Sequence, residues 1–234
     1  MPKPEYSNYF TVVIYSEFNR LEKLLELGQI YQSPIHFSKN NHYVREPPKQ
    51  FDIITATTEW ILYGSKENKP HQHIMIKTAN KYTENTFLVE LMRILKNDIT
   101  GIAIHESQVL VKSPITLLRY FYHLDNPTKE HFNLATAFES VQPMFTKEVV
   151  SAFEIEIRHL IISEIMNGNI KNLQDVLTYN SYSLVFEEYL SRGRNLYMVM
   201  SLFKEMRDTK EIKKYETVST NRCETLKLCE NKIG

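Results

Sequence analysis

Two periods of apolar spacing alternate along the first half of the chain. Tyr9-Phe10-Thr11-Val12-Val13-Ile14-Tyr15 is aromatic or β-branched throughout, which predicts a buried strand near the centre of a sheet. Ser16 then reads as a cap. Leu21, Leu24, Leu25 and Leu27 follow at helical spacing up to Gly28, a residue that commonly ends helices. Ile30 to His36 returns as an extended segment. From Phe37 to Phe51 the chain is polar, with Asn40-Asn41 and Pro47-Pro48, and reads as a loop. Ile53 to Leu62, which contains Trp60, is a further strand candidate. Gly64 to Lys69 then turns into the short strand Lys69-Pro70-His71-Gln72-His73-Ile74-Met75-Ile76.

Helical spacing resumes after Thr83 with Phe87, Leu88, Leu91, Ile94 and Leu95, closing near Lys96. Ile102-Ala103-Ile104 is a short strand. Ser113-Pro114 supplies an N-cap followed by proline at the first helical position. The helix it opens runs from Ile115 to His123, and Asn126-Pro127 stops it. From about Phe145 no strand signal remains. Val149, Phe153, Ile157, Leu160 and Ile161 mark one helix, Leu173–Leu177 and Leu184–Leu190 two short ones, and Leu196–Met206 a last one. The expected fold is α+β: an antiparallel sheet with flanking helices over residues 1–135, then a small all-helical domain over 145–207. The charged, aperiodic residues 208–234 read as a disordered tail.

Composition narrows the function classes. Lys and Arg together number 28, as do Asp and Glu, so there is no basic excess of the kind that coats nucleic acid indiscriminately. A local basic groove stays compatible with that balance. Cys223 and Cys229 both lie near the C-terminus. A disulfide framework for the body of the fold is therefore not expected, which fits a reducing, cytoplasmic setting. The first residues, Met1-Pro2-Lys3-Pro4-Glu5, lead into no apolar run of signal-peptide type. No stretch approaches the roughly 20 apolar residues a membrane span needs.

The chemistry concentrates at His71 and His73. Residues two apart in a strand share a face, so the two imidazoles project side by side, with Gln72 on the opposite face. Ile74-Met75-Ile76 should anchor that strand in the core. Such a pair can give two nitrogen ligands to one divalent ion. A His-x-His on a strand is more often plain packing, so its weight depends on what else falls into place.

Three segments, in order, carry a family resemblance after the opening strand Asn8–Glu17. Ser33-Pro34-Ile35-His36 looks like the Ser-Pro-Leu-His metal motif of the plasmid rolling-circle replication initiators, members of the HUH endonucleases. Lys69-Pro70-His71-Gln72-His73-Ile74 looks like their paired-histidine motif. Arg119-Tyr120-Phe121-Tyr122-His123, with Leu124-Asp125-Asn126-Pro127-Thr128-Lys129 after it, is similar to their nucleophile segment. The helical second domain looks like the oligomerisation domain of the streptococcal-type initiators. There are two departures: the loop from His36 to His71 is longer than usual, and a carboxylate is missing. Family members usually carry an aspartate soon after the first histidine, whereas here the chain reads His36-Phe37-Ser38-Lys39.

The resemblance implies a metal-dependent, site-specific single-strand DNA endonuclease and strand transferase. It would nick and rejoin a plasmid origin through a 5′-phosphotyrosine, leaving a 3′-hydroxyl primer. Tyr120 takes the place of the nucleophile, with Tyr122 as its competitor. Two residues apart in a helix lie about 200° apart, so only one of them can face the metal. His36, His71 and His73 are the expected metal ligands, with His42, Asp52 or Glu59 as candidates for a fourth. The ion implied is Mn²⁺ or Mg²⁺; an all-histidine set also suits Zn²⁺. Arg119 and Lys129 are candidates for DNA backbone contacts. His123 would meet the phosphate or cap the helix. Partners implied are origin DNA, as a single-stranded hairpin loop and duplex repeats, with bases stacking near residues 37–51, and further copies of the chain. Two other readings are a relaxase or transposase of the same chemistry, and a non-catalytic nucleic-acid-binding module whose histidines only pack.

Overall fold

The structure is a computed structural model and describes residues 3–37, 70–104, 109–127, 129, 131–179 and 182–209. The expected strand Ile53–Leu62, the loop from residue 38 onward, the three candidate fourth ligands and the tail from residue 210 lie outside these residues.

The architecture is α+β, as the spacing predicts. The strands are β1 (Ser7–Tyr15), β2 (Gln29–Gln32), β3 (His36–Phe37), β4 (Pro70–Tyr82) and β5 (Ile102–Ala103). They form an antiparallel sheet in the order β2-β4-β1-β5, and β3 pairs with β4 beyond the end of β2. The His-x-His strand is not short: β4 runs for 13 residues. It pairs with β1 from Tyr15↔His71 to Tyr9↔Lys77. β1 is central, between β4 and β5, as its apolar run predicts.

Alternation gives the sheet two faces. On one, Phe10, Val12, Ile14, Ile30, Ile74 and Ile76 are buried against Phe87, Leu88, Leu91 and Leu95. The last four belong to, or directly follow, α2 (Glu84–Ile94). Phe10 and Phe87 stack at 4.0 Å between ring centroids. Thr83 caps α2 by accepting the Thr86 N–H at 3.2 Å. The preceding helix, α1 (Leu21–Leu24), starts after Arg20, which makes no side-chain cap bond, so Ser16 is not its cap. Ser16 and Glu17 instead sit in a turn between β1 and α1.

The other face carries Tyr9, Tyr31, His71, His73, Met75 and Lys77, paired across the strands. Over it lie α3 (Pro114–Phe121), α4 (Leu134–Glu139), a 3-10 turn (Pro143–Phe145) and α5 (Thr146–Ala152). Ser113 caps α3 by accepting the Thr116 N–H at 3.3 Å, with Pro114 in the first turn. Tyr31 packs on Phe145, and Tyr122 and Phe138 pack on Phe153. Lys77 bonds Glu148 at 2.8 Å and the Met144 carbonyl, and Tyr9 donates to the same carboxylate. That brace ties β1 and β4 to α5.

The chain divides into two compact units at Phe153/Glu154. The 3-10 turn and α5 therefore belong with the sheet rather than with the helical part. The helix expected over 149–161 is two helices, α5 and α6 (Glu154–Met166), broken at Phe153. No glycine or proline announces that break. Phe153 is buried between the Tyr122 and Phe138 rings, and this tertiary packing accompanies the stop. The second unit continues with α7 (Leu173–Leu177), α8 (Ser183–Ser191) and α9 over residues 193–209. No helix among the described residues is long and apolar enough to cross a membrane.

Candidate functional site

Strand register decides which side chains can meet. His36 sits directly opposite His71, and opposite residues in an antiparallel pair share a face. His73 is two positions along from His71, on the same face. The third imidazole reaches that face through a one-residue irregularity. From Gln32 to His36 the edge advances four residues, while from Ile74 to His71 the partner strand advances three. Such an extra residue is a bulge, and it inverts the side-chain alternation beyond it. Tyr31, an odd position, faces the site from β2; His36, an even one, faces it from β3. Without the bulge His36 would point to the α2 side of the sheet.

Ser33 holds the bulge. Its N–H donates to the His73 carbonyl at 2.9 Å, and its hydroxyl oxygen accepts the His73 N–H at 3.0 Å. The hydroxyl also donates to the Pro34 carbonyl at 2.7 Å. Gln72, on the opposite face as expected, donates to the Ser33 carbonyl at 3.1 Å. Pro34 has no N–H, so the extra residue leaves no donor stranded there.

The ring centroids are 5.5 Å apart for His36–His71, 4.9 Å for His36–His73 and 5.2 Å for His71–His73. One ligand nitrogen from each lies within 4.8 Å of the others, so the group could hold a metal ion. His36 and His71 are buried and His73 is partly exposed. The His36 Nε2 is buried and meets no hydrogen-bond partner among the described residues. Buried polar nitrogens are nearly always satisfied, so this orphan atom fits a ligand position. Burial, then the neighbouring His123 and His71 and the Lys129 charge, push the His36 pKa down to about 4. At neutral pH the ring is uncharged, the form that binds metals.

The sequence-predicted residues around the triad separate into different surroundings. Tyr120 is half exposed, and its ring meets His73 edge-on at 5.2 Å. Desolvation raises its pKa above the ordinary value. Tyr122, two residues on, is buried, and its hydroxyl bonds that of Tyr31 at 3.2 Å. Burial drives its pKa far above the usual range. Phe121 between them stacks on His73 at 5.5 Å. The Lys129 ammonium lies 6.0 Å over the Tyr120 ring. Arg119 is engaged inside the unit: Nε donates to Asp125 at 2.7 Å and Nη1 to the Ala152 carbonyl at 2.6 Å. His123 places Nε2 3.1 Å from the His36 Nδ1. Phe132 packs on both rings, at 4.9 Å from His36 and 4.8 Å from His123.

Three neutral imidazoles leave the charge of a bound divalent ion unreduced, which suits an anionic ligand such as a phosphodiester. Sequence reasoning assigned no role to Ser33, Phe132 or Tyr15, whose ring lies 6.0 Å from His71. Pairing Tyr15 with His71 needed the β1–β4 register, and Ser33 needed the bulge. Neither is visible in local periodicity. No family model matches the chain, and neither does any curated protein.

Proposed function

We propose that this chain is a divalent-metal-dependent DNA nicking and rejoining enzyme that starts rolling-circle replication of a plasmid. The observation that carries the reading is the half-exposed Tyr120 phenol ring against His73, beside His36 and His71. A candidate nucleophile on α3 lies beside three candidate metal ligands on one face of the sheet, all from separate parts of the chain.

In the proposed reaction the Tyr120 oxygen attacks a backbone phosphorus in single-stranded DNA. A bond forms between that oxygen and phosphorus, and the bond from phosphorus to the 3′ oxygen breaks. The phenol proton is lost, and the departing 3′ oxygen gains one. No redox change is involved. Attack by a 3′-hydroxyl on the phosphotyrosine reverses the step and reseals the strand. His36, His71 and His73 would hold Mn²⁺ or Mg²⁺, with Zn²⁺ as the alternative, and the ion would stabilise the negative charge of the phosphate in flight. Desolvation raises the Tyr120 pKa, so ionisation needs positive charge nearby; the Lys129 ammonium lies 6.0 Å over the ring. Tyr122, buried against Tyr31, is poorly placed to compete.

The test uses full-length protein and a labelled pool of single-stranded oligonucleotides. The expected result is a covalent protein–DNA adduct that chelation prevents and that Tyr120→Phe abolishes. An adduct that survives Tyr120→Phe would overturn the assignment of the nucleophile. Specific single-strand binding without any adduct, with or without metal, would favour a non-catalytic binding module.

A further inference from the structure

The C-terminal turn of α3 ends in a left-handed residue, and that residue is a histidine. His123 has φ 58°. Its N–H donates to the Tyr120 carbonyl at 3.1 Å, and the Leu124 N–H donates to the Arg119 carbonyl at 3.0 Å. This pair of bonds is the Schellman helix stop, whose left-handed position is most often glycine because a Cβ is unfavourable there. A histidine in that position is strained, and strain of this kind is kept where the side chain has a task.

The task is visible in where the ring goes. The His123 Nε2 lies 3.1 Å from the His36 Nδ1, and a hydrogen bond with the Phe121 backbone also reaches His36. The other His36 nitrogen, Nε2, is buried and unpartnered among the described residues. A proton on Nδ1 satisfies both contacts and leaves the Nε2 lone pair free to ligate an ion. A proton on Nε2 would instead bury a donor with no acceptor. Metal-binding histidines are characteristically held in this way by a partner on the far nitrogen, which fixes tautomer and ring orientation.

We infer that His123 is a positioning residue: its Nε2 accepts the His36 Nδ1–H, orients His36 as a metal ligand, and ties the triad to the helical turn that carries Tyr120. The inference rests on reading the triad as a metal site. It gives His123 a place other than the DNA contact expected from sequence.

The test compares full-length wild type with His123→Gly, His123→Gln and, as a control, the exposed His131→Ala. Glycine suits the left-handed stop, so His123→Gly keeps the helix end while removing the ring. Glutamine restores an acceptor at similar reach. The readouts are calorimetric Mn²⁺ affinity and the visible absorption of bound Co²⁺, neither of which needs activity. Expected are an affinity loss of about 10–100-fold for His123→Gly, an altered Co²⁺ spectrum, substantial recovery in His123→Gln and no change in His131→Ala. Wild-type affinity and spectrum in His123→Gly, or a His123→Gln variant no better than His123→Gly, would overturn the role of His123 alone. A wild-type protein that takes up neither ion would overturn the metal reading of the triad, and this inference with it.

Discussion

Two tyrosines two residues apart divide the chemistry at the residue scale. Tyr120 faces His73 and solvent, whereas Tyr122 is sealed against Tyr31. Tyr122→Phe removes a buried hydroxyl bond and should cost about 1 kcal/mol of stability, read as a lower midpoint in denaturant. Covalent attachment to DNA should persist in that variant; its loss would move the nucleophile to Tyr122. The helical angle of about 200° between the two positions was legible from spacing. Which of them faces the triad is decided by how α3 lies on the sheet, with Phe121 stacked on His73. Arg119 shows the limit of reading charge from sequence. It resembles a DNA contact in the chain, but in the fold it braces α3 through Asp125 and Ala152.

At the element scale the edge of the sheet carries the site. The paired histidines and the extended segment ending at His36 were readable, because strand alternation is a local property. The bulge between Gln32 and His36 was not, since an extra residue shows itself only against the partner strand. Inserting one alanine between Ile35 and His36 should move His36 one place past His71, opposite Pro70, and turn it to the α2 face. The resulting two-imidazole site should lose more Mn²⁺ affinity than the roughly 10–100-fold that a lost outer partner costs. Calorimetry on the insertion variant checks this, and unchanged affinity would contradict the register placing His36 opposite His71. The brace from Lys77 and Tyr9 to Glu148 holds the middle of β4 to α5. Burial opposes ionisation of Glu148, but the hydrogen bonds from Lys77 and Tyr9 outweigh it and keep its carboxyl below the ordinary 4.5. A lowered carboxyl pKa stabilises the fold above the unfolded value, and that contribution fades as pH falls through the folded one. Glu148→Gln should therefore cost on the order of 2 kcal/mol near neutrality. The gap in melting temperature from wild type should close below about pH 4.5. A gap constant down to pH 3 would mean the charge on Glu148 is not what stabilises the contact.

For the whole molecule, the α+β class and most elements followed from periodicity, because each strand and helix buries one face. The division of the chain did not. The 3-10 turn and α5 carry the same helical spacing as α6, yet Phe145, Val149 and Phe153 are buried within the sheet unit. Only the packing shows to which unit a short amphipathic helix belongs. The second unit keeps Ile155, Met166 and Tyr197 exposed, compatible with the homo-oligomer that the resemblance implies. Light scattering on the full chain should then give more than a monomer mass, and a strict monomer would count against it. The proposed chemistry joins the triad to the phenol beside it. Its most direct measurement is tandem mass spectrometry of the protein–DNA adduct, formed with Mn²⁺ and with chelator and digested with trypsin. A nucleotide mass is expected on Tyr120, within the peptide between Arg119 and Lys129, in the Mn²⁺ sample alone. A nucleotide mass on Tyr122 or on another peptide, or an equal yield in chelator, would contradict it.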